Sequence, residues 1–301
     1  MKEKAMILAS FAADSLALGV HWIYDTRLID TTFGRVERFI KPGEASFHPT
    51  KDRGDFTHYG DQTLILLQSL SASSDFDLND FAERWRNLFQ GYAGYKDHAT
   101  RSTLDNFAKG QAPSASGSPS SDLGGASRIA PLVYRYRDDL AQLLSAARAQ
   151  TAMTHNHPEV IRGAEFLAEV TWHVLHGKAP VDAIQSALNS SFREGPLRQW
   201  VVQGMESAAM GTRRAIAALG QMCDIEAALP AAIHLMVKYP DDLKTALVEN
   251  VMAGGDSAAR GLVVGMVLGA HLGQDAIPDR WLSEMKRYPQ IVELLKAGDE
   301  A

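Results

Sequence analysis

Apolar residues recur along this chain at helical rather than strand spacing. Phe81, Trp85, Leu88, Phe89 and Tyr92 fall at steps of four, three, one and three, which places them on one face of a helix. Asp77 precedes that run in the position of an N-cap. The same periodicity predicts helices over 3–22, 61–73, 97–109, 138–152, 157–176, 181–190, 196–219, 224–238, 241–252, 256–272 and 278–286. Alternating strand patterns are scarce, and no two runs are joined by a hairpin signal. The expected class is all-α, with the chain read as one domain spanning 1–301.

The most informative helix is GGDSAARGLVVGMVLGAHLG, residues 254–273, where Gly261, Gly265, Gly269 and Gly273 repeat every four residues. Four-residue spacing lines them along one helix face, and each glycine costs about 1 kcal/mol against alanine. The spacing therefore predicts close approach of another helix backbone. The opposite positions, Val263, Val264, Met266, Val267 and Leu268, are apolar as well, which puts this helix in the middle of the protein with Asp256 at its polar start.

Two stretches break the periodicity. Residues 30–60 carry Pro42, Gly43, Pro49, Gly54 and Gly60 among charges; residues 110–125, GQAPSASGSPSSDLGG, are small and polar. The second reads either as a flexible surface linker or as a loop bordering a cleft. No solenoid-type repeat is present.

Composition narrows the partners. A formal charge of −6 with no basic stripe disfavours nucleic acid and anionic membranes. The single cysteine, Cys223, cannot form an internal disulfide, and reads as a small buried side chain in a reducing compartment. The start imitates a secretory signal, but Asp14 breaks its apolar run and the helical pattern continues. No stretch approaches the ~18 apolar residues needed to cross a bilayer. The expected location is cytoplasmic; oligomeric state is not assigned.

The candidate chemistry lies at helix starts. Asp256 follows Gly254 and Gly255, which let the backbone turn sharply and a ligand come near; Asp61 follows Tyr59 and Gly60. Each also reads as a plain N-cap. Asp14 interrupts an apolar helix with no cation three or four residues away, so it must meet a donor, a cation or an open cleft. His21 and His58 lie near Asp14 and Asp61, and His155 and His157 flank Asn156 just before Pro158. A His-x-His pair alone is a weak zinc signal.

Five pieces in order give these residues a context: Asp14-Ser15-Leu16-Ala17, Gly60-Asp61-Gln62-Thr63, Gly124-Gly125-Ala126-Ser127-Arg128-Ile129-Ala130-Pro131, Thr154-His155 with His157 and Pro158, and Gly254-Gly255-Asp256-Ser257 leading into the glycine-striped helix. Together they resemble the ADP-ribosylglycohydrolase family, over most of the chain. The resemblance implies an orthogonal multi-helix bundle with a cleft. It also implies two Mg²⁺ or Mn²⁺ ions held by a T-D-D segment near the start and by two aspartates and a threonine near the end.

This sequence departs from that pattern. Of six expected ligand positions only Asp61 and Asp256 carry a carboxylate; the rest read Gly60, Gln62, Ala258 and Ala259, and the family's gating glutamate falls on His21. The expected metal content is one Mg²⁺ or Mn²⁺ on Asp61 and Asp256, or none. Arg260, four residues after Asp256, reads as an ordinary i,i+4 ion pair, or as a fixed charge replacing an ion and contacting Asp256 or a ligand phosphate. The expected function is hydrolysis of a glycosidic bond in an ADP-ribosyl or related nucleotide-sugar substrate, small or protein-borne. Asp61 and Asp256 would be catalytic, and Asp14, His21, His58, Gly125, Ser127, His155, His157 and Arg260 would form the substrate site. The alternative is an inactive ADP-ribose-binding regulatory protein on the same fold.

Overall fold

The computed structural model describes residues 2–300, and among them only helices form; two isolated bridges, Ser118 with His155 and Asp122 with Asp224, replace any sheet. At the centre, the N-terminal helix Lys2–Leu18 lies along the glycine-striped helix Ser257–Leu272. The first is buried from Ala5 to Leu18, and the second from Ser257 to Ala270. A helix buried all round has no amphipathic face, because every side meets protein.

The stripe does what its spacing predicts. A Cβ at Gly265 would stand 2.5 Å from the Ala9 carbonyl oxygen, and one at Gly269 would stand 2.8 Å from the Ala5 carbonyl oxygen. Ser10 Oγ completes the seam by donating to the Leu262 carbonyl at 2.9 Å.

Several boundaries differ from the periodicity. The first helix stops at Leu18 rather than 22: Gly19 packs against Ile40, and Trp22 takes φ 65° with its N–H donating to Gly255 O. The segment read as one helix over 196–219 is Pro196–Glu206, a 3₁₀ turn Ser207–Ala209, and Thr212–Leu219. Ser207 Oγ, bonded to Gly204 O and within 2.8 Å of His234 Nδ1, interrupts it. The aromatic run from Phe81 ends its helix at Leu88, short of Tyr92. Helices Thr26–Phe33, Gly124–Ser127, Ala130–Arg135 and Tyr288–Glu300 carried no recognised signal.

The Gly/Ser/Pro-rich stretch is not a free linker. Ser116 and Ser118 are buried, and their hydroxyls donate to Met153 O and Thr154 O. Hydroxyl-to-backbone bonds stitch it to the loop carrying His155. No helix among the described residues is long and apolar enough to cross a membrane.

Candidate functional site

Asp256 is the N-cap of the glycine-striped helix, completely buried, with Oδ1 accepting the Ala259 N–H at 3.1 Å. Its other contacts come from the opposite end of the chain. His21 Nε2 lies 3.0 Å from Oδ1, and the Tyr59 hydroxyl donates to Oδ2 at 3.1 Å. Burial raises the carboxyl's pKa, but His21 and the cap outweigh it and hold the group below the usual carboxylate range.

An ionised Asp256 fixes the tautomers beyond it. It accepts a hydrogen bond from the His21 Nε2–H, so His21 Nδ1 is an acceptor and receives the Nε2–H of His48 at 2.9 Å. His48 Nδ1 is then a buried lone pair with no protein partner. His58 repeats the arrangement: Nε2 lies 3.1 Å from Asp97 Oδ2, and Nδ1 is buried without a protein partner. The rings of His21, His48 and His58 stand within 5.1–6.2 Å of one another, with Trp22 and Tyr95 against them.

Gly254 and Gly255 serve the chain's own backbone rather than a ligand. Both have positive φ, and Cβ atoms there would meet Ile23 O at 2.6 Å and Gln221 O at 2.2 Å. Arg260 makes no hydrogen bond to Asp256, contrary to the i,i+4 expectation. Its Nε donates to Asn250 Oδ1 at 3.0 Å and one terminal nitrogen to Gly254 O at 2.6 Å, while Nη1 has no protein partner. The guanidinium caps the end of the preceding helix, Leu243–Met252, and reaches Asp256 only through its field.

Asp61 is not a helix cap. The helix starts at His58 with Thr57 as cap, and Asp61 sits in its first turn. Its Oδ2 accepts from Lys51 Nζ and the Tyr92 hydroxyl, and the side chain is 17% exposed. Asp61 and Asp256 share no bonded partner. Asp14 meets the donors its burial demanded: the Thr57 N–H at 2.8 Å and the Thr57 hydroxyl at 2.5 Å. Its carboxylate fills the space a side chain at Gly60 would need, with a Cβ there falling 2.4 Å from Asp14 Oδ2.

Of the remaining candidates, Gly125 and Ser127 bond within neighbouring structure, while His155 Nε2 and His157 Nδ1 are buried without a partner among the described residues. Gly125 backs onto the His155 ring and its carbonyl accepts from Gln150 and Thr151. Ser127 Oγ returns to Gly124 O within its own turn. His155 is buried with Nδ1 against Thr154 Oγ1, and half-buried His157 precedes the helix Pro158–Leu175 without capping it. His48, Tyr59 and Asp97 were missed. His48 lies in an aperiodic stretch, and Asp97, which caps His98–Ala108, looked like part of that helix.

The donor set does not suit a pair of divalent ions. Gln62 Oε1 accepts from Trp85 Nε1 at 2.7 Å and from the buried Arg128 at 2.5 Å, so a cation already occupies that oxygen. Ala258 and Ala259 offer no donor, and Asp61 is bound to Lys51. Among the described residues no group of three or more His, Cys, Asp or Glu side chains is gathered to hold a metal.

The buried imidazoles set a pH limit. Burial lowers His48 to about 2 and His155 to about 3, so the folded protein keeps both neutral while the unfolded chain protonates them near 6.5. Stability is full above about pH 6.5 and falls by about 1.4 kcal/mol per pH unit per imidazole below it. Asp14, raised to about 6 mainly by burial, acts oppositely, favouring folding as the pH falls from 6 towards 3.8. Burial also raises Asp122 to about 6 and lowers His234 to about 4, so three imidazoles outweigh two carboxyls. The urea midpoint is expected to drop between pH 6.5 and 5, with His48→Gln removing most of the slope.

The architecture and these motif positions define a class. The sequence profile of ADP-ribosylglycohydrolase matches residues 2–300, and the chain belongs to that family. A solved structure named ADP-ribosylglycohydrolase-related protein complex superposes with a TM-score of 0.77 at 25% identity, covering 99% of this chain and 98% of that one. Among sequence relatives, crystallin J1A of Tripedalia cystophora is 25% identical over 97% of this chain and 94% of its own length. The ADP-ribosyl-[dinitrogen reductase] glycohydrolase of Rhodospirillum rubrum is 23% identical over 77% and 74%, and human ADP-ribosylhydrolase ARH3 is 22% identical over 80% and 78%.

Proposed function

We propose that this protein hydrolyses a glycosidic bond in an ADP-ribosyl or related nucleotide-sugar substrate without the family's two-metal centre. The observation that carries this reading is that protein donors already occupy both retained carboxylates: the Lys51 ammonium on Asp61, and the neutral His21 and Tyr59 on Asp256. The names of the hydrolase relatives supply the substrate class.

The two carboxylates then have unequal roles. Asp61 is the one solvent reaches; it orients water and faces the positive charge that develops on the sugar ring. Asp256, with no exposure, is a positioning group acting through His21 and Tyr59. The test is release of ADP-ribose from an ADP-ribosylated peptide, with and without EDTA. Turnover unchanged by EDTA is expected, with Asp61→Asn lowering kcat/KM at least 100-fold and shifting Tm by only a few degrees. Turnover that requires added Mn²⁺ would refute the metal-free reading.

One observation favours a second reading, a non-catalytic protein on the same fold. Two relatives that match 97% of this chain are named crystallins, and four family ligand positions are lost here as well. Calorimetry with ADP-ribose separates the two, since binding without turnover selects the second.

A further inference from the structure

Beside the His21–Asp256 pair lies a cavity of about 280 Å³ walled by Trp22, Leu28, Phe33, Phe47 and the His21 ring. Three features mark it as more than a packing gap. No Asp, Glu, Lys or Arg lines it, and its hydroxyls come only from Thr32 and Ser46. Of the charged residues near it in sequence, Arg27 is paired with Asp25 and Asp30 with Arg213, while Glu44, between the lining Gly43 and Ala45, is exposed and does not line it.

Second, the mouth is apolar where water should favour polar groups. The exposed large hydrophobic residues of the described chain are Tyr24, Leu28, Phe47 and Met222. Of these, Leu28 and Phe47 line the cavity, so two of the four stand at its opening. Apolar side chains gathered at one opening mark a binding site more often than scattered ones do.

Third, the wall is strained. Trp22 is the one described non-glycine residue with positive φ, a conformation a bulky side chain holds only at an energetic cost. The bond from Trp22 N–H to Gly255 O keeps it there and sets the indole against Phe47 at 4.8 Å, edge to face.

We propose that this cavity is a subsite for an uncharged planar ring of the ligand, such as a heterocyclic or aryl group joined to the sugar. The indole and phenyl rings supply faces and edges for such a ring. The absence of a lining carboxylate rejects a guanidinium, and the absence of a lining cation rejects phosphate. The proposal rests on the hydrolase reading for the sugar, but its own claim concerns the leaving-group side. It implies that arginine-linked ADP-ribose is a poor substrate.

The test uses the full chain with Phe47→Ala and Leu28→Asp, both at positions about half exposed and therefore tolerant of change. Binding of benzamide, adenine and agmatine is followed by tryptophan fluorescence and by ligand-observed NMR. The uncharged rings are expected to bind, each substitution to raise their Kd tenfold or more, and agmatine not to bind. Absence of ring binding, ring binding indifferent to both substitutions, or agmatine binding as tightly as benzamide would each overturn the subsite. Release of ADP-ribose is read in parallel. Ring binding that depends on Phe47 without turnover keeps the subsite and removes the hydrolase reading. Turnover without such binding does the reverse.

Discussion

Gly265→Ala is expected to lower stability by about 3 kcal/mol, a Tm drop of roughly 5 °C for a chain of this size. The added methyl would stand 2.5 Å from Ala9 O, 2.8 Å from Ala9 C and 3.0 Å from Ser10 Cα. All three are backbone atoms of a buried helix, so no side chain can swing aside. The change should gain about 1 kcal/mol from helix propensity, and the overlap must outweigh that gain. Gly43→Ala serves as the control, because a Cβ there meets nothing within 4 Å. Its midpoint should stay within about 0.5 kcal/mol of the parent. Equal effects at the two positions in urea unfolding would mean that the helix seam is looser than its geometry.

Asp256→Ala should be costlier, about 4 kcal/mol or more. It deprives three buried donors of their acceptor: His21 Nε2, the Tyr59 hydroxyl and the Ala259 N–H. Each unsatisfied group costs roughly 1–3 kcal/mol, and the lost cap is among them. Asp256→Asn should cost much less, roughly 1–2 kcal/mol. Its amide oxygen keeps the His21 and Ala259 bonds, and its NH₂ donates to the Tyr59 oxygen once that hydroxyl rotates. Urea midpoints for the pair measure the difference. If the two variants unfold alike, the hydrogen-bonded cluster contributes little and Asp256 is retained for charge alone.

The sequence made some of this site legible and hid the rest for identifiable reasons. The glycine stripe required a helix against it, and the helix Lys2–Leu18 is there. Asp14 in an apolar run required a donor, which Thr57 provides. The family pattern placed Asp61 and Asp256 in order along the chain. What it could not carry was the partner of each carboxylate. Lys51 and His48 sit in an aperiodic stretch, and His48 is joined to His21 across 27 residues and to Asp256 only through it. Arg260 misled because i,i+4 spacing permits a pair without requiring one; the free carbonyls of Asn250 and Gly254 compete for the same guanidinium. Gly254 and Gly255 suggested access for a ligand, whereas their room is taken by Ile23 and Gln221.

The seam between the two central helices also bears on how the protein is made. Ser10 and Leu262, bonded across it, are 252 residues apart. At roughly 5–20 residues per second, a ribosome needs on the order of ten to fifty seconds to add the second after the first. Throughout that interval the side of Ala5–Leu18 that packs on Ser257–Leu272 has no partner. Nascent chains of this protein should therefore be clients of ribosome-associated chaperones, and a message cut short before the last helices should yield an aggregating product rather than a smaller folded one.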